Sequence, residues 1–315
     1  MKNLYFVPFF FKENVNSGVN FERKSNKKEI YLKNCCVSLI SARLLNPQDD
    51  VALVTNIEVG NTYLNLLEKN NIKIFVINYD CFTFPNTFKW SAAFFKLCAL
   101  KYVVDNFKHT YLNIMYTDSD VFCQQSFGNI WDECSCGKLL LFDLCESKNN
   151  SLYRTFCKEV LAVDNGLVGI SHFGGEFFAS NIENASIFID KCMSIYTTII
   201  KNNIIFSSGD ELILSISGYL LNAKNAGAYI YRFWTDSFRI STTRYLYNPV
   251  VFLHCPDQKE RGFCKLFKHV NKYNKFPKNK KVYSILKLNR ISLKTFIIRF
   301  LSLFIKKYRI KSYNE

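Results

Sequence analysis

The sequence predicts an α/β fold in which helices pack on the faces of a mainly parallel mixed sheet. Through residue 120, short apolar runs rich in β-branched and aromatic residues alternate with longer amphipathic runs. That alternation is typical of parallel strands joined by crossover helices. With 315 residues, 49% of them hydrophobic, the chain is long enough to bury a large core.

The first half of the chain contains the strand and helix patterns in regular order. Strands are predicted at residues 4–10, 51–56, 73–80 and 110–120. Helices are predicted at residues 35–45, 62–70 and 91–106. Ligands of such sheets bind beyond the carboxyl ends of the strands, and Asp118 and Asp120 stand at the end of the fourth strand.

The second half is less regular and contains no internal repeat. Strands are predicted at residues 137–144, 170–181, 229–234 and 249–255. Helices are predicted at residues 152–163, 185–202 and 209–220. Because no linker is visible before about Gly262, we expect one domain over residues 1–265 and a basic tail over residues 266–315.

The positive charge of the chain is concentrated in that tail. The formal net charge is +15, but 15 of the 41 basic residues lie from Lys265 onward, where Glu315 is the one acid. The preceding residues are close to neutral, with 26 basic and 25 acidic groups. A basic surface for nucleic acid is therefore not predicted for the domain, and no nucleic-acid partner is expected.

The twelve cysteines show no paired zinc-knuckle spacing, and their irregular distribution does not resemble a disulfide framework. The N-terminal apolar run, residues 4–11, has no small-residue cleavage site and is interpreted as a strand rather than a signal peptide. We therefore expect reduced cysteines and a cytoplasmic protein. No apolar stretch approaches the roughly 20 residues that span a bilayer.

Asp118 and Asp120 are the first candidate site. Two carboxylates two residues apart repel each other unless a cation or a basic group lies between them. Hard oxygen ligands of this kind suit Mg²⁺ or Mn²⁺, which commonly bridge the phosphates of a substrate. The alternative is a solvated turn, in which aspartate and serine are ordinary residues. The apolar residues on both sides, "IMY" and "VF", favour the metal interpretation.

A second candidate is the stretch "VVFLHCPDQKERGF", which ends an apolar strand with His254 and continues with Lys259. An imidazole added to two carboxylates makes a suitable Mn²⁺ shell, and nearby cations would neutralise a diphosphate. The alternative is a half-buried histidine at a strand end, followed by a solvated basic loop.

Two further stretches carry acids beside glycines or at a helix start. In "HFGGEFFAS", Gly174 and Gly175 indicate either a β-bulge or a close approach of a ligand to the backbone, and Glu176 could bind sugar hydroxyls or act as a base. In "SSGDELILS", Asp210 and Glu211 either stabilise the helix dipole or face a cleft as a base or acceptor ligand.

The order "YTDSDVF", "HFGGEFFAS", "GDELIL" and "FLHCPDQKERGF" resembles the GT-A glycosyltransferases of the bacterial polysaccharide and lipooligosaccharide type. The resemblance covers about residues 50 to 267 and implies a Rossmann-type GT-A-like sheet. It also implies Mn²⁺ or Mg²⁺ and a nucleotide-sugar donor, most simply a UDP-sugar.

By this resemblance Asp120 binds the metal, Asp118 contacts the metal or the donor ribose, and His254 is the third ligand. Lys96 matches a basic residue that contacts the donor, and Glu211 would lie near the reacting sugar. Retaining relatives commonly carry His-x-x-Gly-x-x-Lys-Pro-Trp, from which this chain departs. Anomeric retention or inversion therefore stays open.

The expected function is transfer of a sugar from a nucleotide-sugar to a glycan or glycolipid acceptor. One alternative is a metal-dependent nucleotidyl or phosphoryl transferase, and another is a non-catalytic basic membrane-binding protein. The tail repeats apolar residues at helical spacing opposite lysine and arginine, which indicates either an amphipathic helix on an anionic membrane or a final packed helix. A peripheral location at the inner face of the cell membrane would suit the first. The apolar residues of that pattern are Leu293, Phe296, Ile297, Phe300, Leu301, Phe304 and Tyr308.

Overall fold

The computed structural model describes residues 1–13, 26–145, 150–235 and 250–288, together with positions 297 and 301. The strands are β1 (Lys2–Phe9), β2 (Asp50–Thr55), β3 (Lys73–Val76), β4 (Tyr111–Thr117), β5 (Val121–Cys123), β6 (Leu140–Asp143), β7 (Phe173–Asn181), β8 (Lys224–Asn225), β9 (Ile230–Arg232) and β10 (Phe252–His254). The helices are α1 (Lys27–Leu45), α2 (Asn61–Lys69), α3 (Phe95–Phe107), α4 (Gly128–Ser135), α5 (Ser151–Val163), α6 (Ile182–Lys201), α7 (Asp210–Leu220), α8 (Cys264–Tyr273) and α9 (Asn279–Ile285).

The main sheet has seven strands in the order β3-β2-β1-β4-β7-β6-β8. Strands β3, β2, β1 and β4 run parallel, β7 is antiparallel to both β4 and β6, and β6 is parallel to β8. The predicted α/β class, with a mostly parallel mixed sheet flanked by helices, is confirmed and is compatible with a Rossmann-like fold. The ends of β1, β2 and β4 therefore meet at one edge.

Helices cover both faces of the main sheet, so its central strands are buried on both sides. In β1 the side chains alternate: Tyr5 and Val7 face the core beneath α1, whereas Leu4 and Phe6 face the core beneath α3, α6 and α7. A strand buried on both faces has an almost continuous apolar sequence, which is why "LYFVPF" shows no polar alternation.

A second, three-stranded sheet has the order β5-β10-β9. Strand β5 begins at Val121, immediately after Asp120, and pairs antiparallel with β10. Strand β10 pairs parallel with β9, so that His254 lies beside Arg232. This small sheet carries residues from the last third of the described chain to the carboxyl end of β4.

Several element boundaries differ from those predicted. Helix α1 begins at Lys27 rather than Cys35, because its polar first turns are stabilised by Asn26, whose side chain accepts from the Glu29 N–H. The strand predicted at residues 73–80 ends at Val76, and a 3-10 turn precedes α3. Helix α4 and strand β8 were not predicted from the apolar pattern, since both are short.

Residues beyond the predicted domain boundary at 265 and 266 continue to pack on the domain. Leu266 and Val270 of α8 and Val282 of α9 are buried in the core beneath α1. The boundary itself stays a prediction. The tail helix predicted from Leu293 to Tyr308 lies outside the described residues except for positions 297 and 301. None of the helices in the described part of the chain combines the length and the hydrophobicity that a membrane span requires.

Candidate functional site

A cleft of about 480 Å³ opens at the carboxyl edge of the main sheet. Its size lies within the range of small-molecule sites, about 300–1,000 Å³. The wall combines the end of β1, the residues after β4, the first turns of α3 and α7, and residues of β7, β9 and β10. Aromatic side chains face it beside charged ones: Phe10, Tyr31, Trp90 and Trp234.

Asp118 and Asp120 enter this cleft directly after β4. The Asp118 N–H donates to the carbonyl oxygen of Glu176 at 3.1 Å, which extends the pairing of β4 with β7 by one residue. Asp120 precedes β5, whose antiparallel register pairs Val121 with His254. The predicted return of His254 to Asp120 is confirmed: His254 Nε2 lies 3.0 Å from Asp120 Oδ2, across 134 residues of chain.

The side chains of Asp118, Asp120 and His254 form a group that could hold a metal ion. One ligand atom from each lies within 4.8 Å of the others. Asp120 and His254 are almost completely buried, whereas Asp118 is half-buried and faces the cleft. Two carboxylates and an imidazole fit a divalent cation such as Mn²⁺, and the all-oxygen preference of Mg²⁺ makes it the poorer match.

Each of the two aspartates also has a basic partner. Lys96 Nζ lies 3.2 Å from Asp118 Oδ1, and Lys259 Nζ lies 3.2 Å from Asp120 Oδ2. The repulsion between the acids is therefore relieved by lysines as well as by any cation that binds between them. Lys259 and His254 both contact Oδ2 of Asp120, and a metal ion bound at this carboxylate would repel the Lys259 ammonium.

Electrostatic interactions at the Asp120–His254 pair favour the charged form of both groups. Burial opposes the charge of His254, but the Asp120 and Glu176 carboxylates outweigh it and raise the pKa of His254 to about 9. Burial likewise opposes ionisation of Asp120, while Lys259 and His254 hold its pKa below the usual value. These interactions favour an ion pair, and a metal that binds at a protonated His254 would release its proton.

Lys96 joins the first aspartate to the start of α7. Its ammonium donates to the Gly175 carbonyl oxygen at 2.9 Å and lies 3.0 Å from Asp210 Oδ2. Burial raises the pKa of Asp210 to about 6, against the attraction of Lys96, with a smaller contribution from the Glu211 charge. Lys96, predicted to contact the donor, therefore lies in the cleft between Asp118 and Asp210.

Glu176 lies deeper than the two aspartates and is paired through both oxygens. Arg232 donates to it from Nε and Nη2, both at 2.6 Å, and His254 Nδ1 lies 3.3 Å away. The Glu176 side chain has no exposed surface. This geometry favours a role in holding Arg232 and His254, and the predicted role of Glu176 as a base stays a prediction.

Glu211, in contrast, reaches the cleft with a quarter of its side chain exposed. Arg232 Nη2 lies 3.4 Å from Glu211 Oε1, and His172 Nε2 lies 3.0 Å from Glu211 Oε2. The His172 ring stacks on Phe156 at a centroid distance of 4.0 Å, which fixes its orientation. Of the acids predicted as bases, Glu211 is more accessible than Glu176 or Asp210.

Gly174 and Gly175 lie at a register irregularity between β6 and β7, which corresponds to the bulge that was predicted as one alternative. The register of β6 with β7 shifts between Leu141 and Phe142, where the bulge lies. A Cβ atom on Gly175 would overlap the Asp210 carboxylate, and one on Gly174 would overlap that of Glu176. The space at both glycines is thus taken by side chains of the chain itself. Their predicted donor contact stays a prediction.

Three residues of the site were not singled out from the sequence. Arg232 and His172 orient the acids, and Glu159 of α5 is buried against the loop before α7. Its carboxylate accepts from Ser207 N and Oγ at 2.7 Å and from Ser208 N and Oγ at 3.1 and 2.5 Å. Arg232 could have been singled out because it is the one charged residue within the strand-like run "YIYRFW".

Comparison of the chain with protein-family models gave no match, and a search of curated proteins gave none either. The functional conclusion therefore depends on the geometry of the cleft and on the resemblance carried by the motifs.

Proposed function

We propose that this chain is a metal-dependent glycosyltransferase with a GT-A-like domain. It transfers a sugar from a nucleotide-sugar donor, most simply a UDP-sugar, to a surface glycan or lipid-linked acceptor. The observation that carries the proposal is the Asp118, Asp120 and His254 group at the carboxyl edge of β4, within one cleft with Lys96, Lys259 and Glu211. Together these groups would stabilise the negative charge of a diphosphate leaving group.

The chemistry of the donor supports this assignment of roles. Departure of a nucleoside diphosphate leaves negative charge on oxygen, and a divalent cation at Asp118, Asp120 and His254 would stabilise that charge. Lys259 lies 3.2 Å from Asp120 at the same site, where its ammonium would meet the same phosphates. Lys96 holds Asp118 and Asp210 in place at the opposite wall.

On the acceptor side, Glu211 is the candidate to take a proton from the attacking hydroxyl if the reaction inverts. Its contacts with Arg232 and His172 fix the carboxylate while leaving part of it exposed to the cleft. Asp210 lies beside it, and its pKa of about 6 keeps a fraction of the carboxyl neutral near pH 6. The aromatic residues Trp90 and Trp234 on the wall offer surfaces for a base or a sugar ring.

Products of donor breakdown separate this proposal from its enzymatic rival. The full chain is incubated with Mn²⁺ and either a panel of nucleotide sugars or a nucleoside triphosphate with a sugar phosphate, and the products are resolved by ion-exchange chromatography. Release of free sugar and nucleoside diphosphate supports a glycosyltransferase. Release of sugar phosphate and nucleoside monophosphate, or of pyrophosphate from a nucleoside triphosphate, would instead establish a nucleotidyl or phosphoryl transferase.

Matched variants tie the activity to the site. Asp120→Asn keeps the shape of the side chain but removes the charge that a metal requires, and activity is expected to fall by at least about 100-fold. Asp132→Asn makes the same change on the exposed surface of α4 and serves as the control. Equal activity of the two variants would show that the reaction uses another site, and no turnover with any donor favours the non-catalytic alternative.

We also propose that the basic C-terminal tail holds the enzyme at an anionic membrane surface, on the cytoplasmic side. Residues 266–288 of the tail pack on the domain, so deletion of residues 289–315 removes the segment with the predicted amphipathic helix and leaves the buried Leu286 and Leu288 in place. Sedimentation with vesicles containing anionic lipid is expected for the full chain and not for the truncated one. Equal sedimentation of both would place the lipid contact elsewhere.

A further inference from the structure

A second group of potential metal ligands lies outside the cleft, where the loop after β3 meets the first turns of α3. Ligand atoms of Asp80, Cys81 and Cys98 lie within 4.8 Å of one another. Cys98 is buried, Cys81 is half-buried and Asp80 is exposed, so the group opens to solvent on one side. The two cysteines are 17 positions apart, which no sequence pattern for paired cysteines would select.

The cluster is held together by contacts around Cys98. Its sulfur lies 3.4 Å from the Asn78 carbonyl oxygen and 3.7 Å from Asp80 Oδ1. Cysteine binds a metal as the thiolate, so an ion at this cluster would take the place of the thiol proton in these contacts.

The loop that presents Cys81 is fixed in an unfavourable backbone conformation. Phe82, the next residue, has a φ of 56°, a region that bulky side chains rarely adopt. It is held there by complete burial, by packing on Tyr196 and by a hydrogen bond from the Tyr79 hydroxyl to its carbonyl oxygen at 3.1 Å. Strain of this kind persists where the surrounding structure fixes it, often at a ligand site.

We propose that Asp80, Cys81 and Cys98 bind a thiophilic divalent cation, with Zn²⁺ as the best match. Two thiolates and a carboxylate are common zinc ligands, and a water molecule would complete the usual four. Zn–S bonds of about 2.3 Å in a tetrahedron bring two sulfurs to about 3.8 Å, so the ligand atoms need move inward by about 1 Å at most. Binding replaces thiol protons by the metal and requires no oxidant.

The position of the site suggests a structural role. The ion would join the loop after β3 to α3, and the intervening chain carries Trp90 onto the cleft wall. Lys96, which contacts Asp118, lies two residues before Cys98 on the same helix. A metal at Cys98 would thus restrain one wall of the cleft. The site itself does not depend on the proposed function, because it shares no residue with the group at Asp118.

The test uses Co²⁺ as a spectroscopic probe and Zn²⁺ as its competitor, with the full-length reduced chain. Wild type is expected to bind one Co²⁺ that shows a thiolate-to-cobalt charge-transfer band, and Zn²⁺ should abolish that band. Position 81 is half-buried, so Cys81→Ser should still fold. This variant is expected to lose the band and to bind Zn²⁺ at least roughly 100-fold more weakly. Asp80→Asn, at an exposed position, should weaken binding less.

Two control variants separate the proposed site from another thiol and from the cleft. Cys136→Ser removes an exposed thiol that belongs to neither group, and Asp120→Asn disables the cleft site; both should keep the band unchanged. The proposal is overturned if wild type shows no thiolate band, or if Cys81→Ser keeps it. It is also overturned if mass spectrometry of the purified chain shows a disulfide between Cys81 and Cys98 that metal does not prevent.

Discussion

Removal of the Arg232 guanidinium is expected to destabilise the protein strongly, because it leaves a buried carboxylate short of partners. Arg232 donates two hydrogen bonds of 2.6 Å to Glu176, whose side chain is completely buried. In Arg232→Met the aliphatic volume is largely kept, so the loss is mainly electrostatic. Glu176 would retain His254, whose Nδ1 lies 3.3 Å away.

The magnitude follows from this geometry. Breaking a buried ion pair from one side costs about 3–5 kcal/mol, since the other charge stays desolvated. Arg232 is partly exposed and His254 still contacts the acid, so we expect the lower end, about 3 kcal/mol. Glu176→Gln leaves an arginine that can turn toward Glu211 and solvent, and should cost about 1–2 kcal/mol. The double variant should cost less than the two single losses together, with a coupling of about 2 kcal/mol.

Urea unfolding followed by circular dichroism and tryptophan fluorescence measures these differences. With a slope near 3 kcal/mol per molar, a loss of about 3 kcal/mol moves the midpoint by about 1 M. Lys101→Met serves as the control because Lys101 forms an exposed pair with Asp105 at 2.7 Å. Its loss should cost about 0.5 kcal/mol or less.

The electrostatic account of the Glu176 network is refuted if Arg232→Met shifts the midpoint no more than Lys101→Met does. It is equally refuted if the two single losses add without coupling, since independent effects would mean that the pair does not act as one unit.

Three further predictions test the acids and glycines of the site. The pKa of Asp210 is about 6 in the folded chain and about 3.8 in the unfolded chain. Ionisation of Asp210 therefore lowers the free energy of unfolding by roughly 3 kcal/mol as the pH rises from about 3.8 to 6. Asp210→Asn should therefore gain that amount relative to wild type between pH 4 and pH 7.5 in urea unfolding, and a pH-independent difference contradicts the buried carboxyl. Gly175→Ala should cost about 1–3 kcal/mol because its Cβ overlaps the Asp210 carboxylate, whereas Gly128→Ala, with open space at Cβ, should be nearly neutral in thermal unfolding. Glu159→Gln removes the charge to which the Ser207 and Ser208 N–H groups donate and should lower the free energy of unfolding by about 2 kcal/mol. If hydrogen exchange of these two amides is as slow as in wild type, Glu159 does not hold this loop.

The sequence predicted the fold class because apolar periodicity reports which faces are buried. The predicted boundaries were wrong where an element begins with polar residues. In α1 the first turns depend on the Asn26 cap rather than on apolar spacing. The apolar pattern also missed α4, because an eight-residue helix offers too few turns for its period to be recognised.

Within the site, chemistry predicted one long-range contact and missed another. His254 was expected at Asp120 because the glycosyltransferase resemblance implies that it is the third metal ligand, and the register of β5 with β10 brings it there. The contact between Arg232 and Glu176 could not be predicted in the same way, because it depends on the parallel register of β9 with β10 and on the bulge in β7. Such pairings are set by tertiary register, which local patterns do not encode.

The proposed function requires Asp118, Asp120 and His254 to bind a metal together with a nucleoside diphosphate. Isothermal titration of UDP into the full chain tests it most directly, with Mn²⁺ present or removed by chelator, and with Asp120→Asn beside wild type. We predict that UDP binds wild type with Mn²⁺, and that binding weakens at least about 10-fold without the metal and in the variant. Binding of UDP that is equally tight without Mn²⁺ and in Asp120→Asn would contradict the claim.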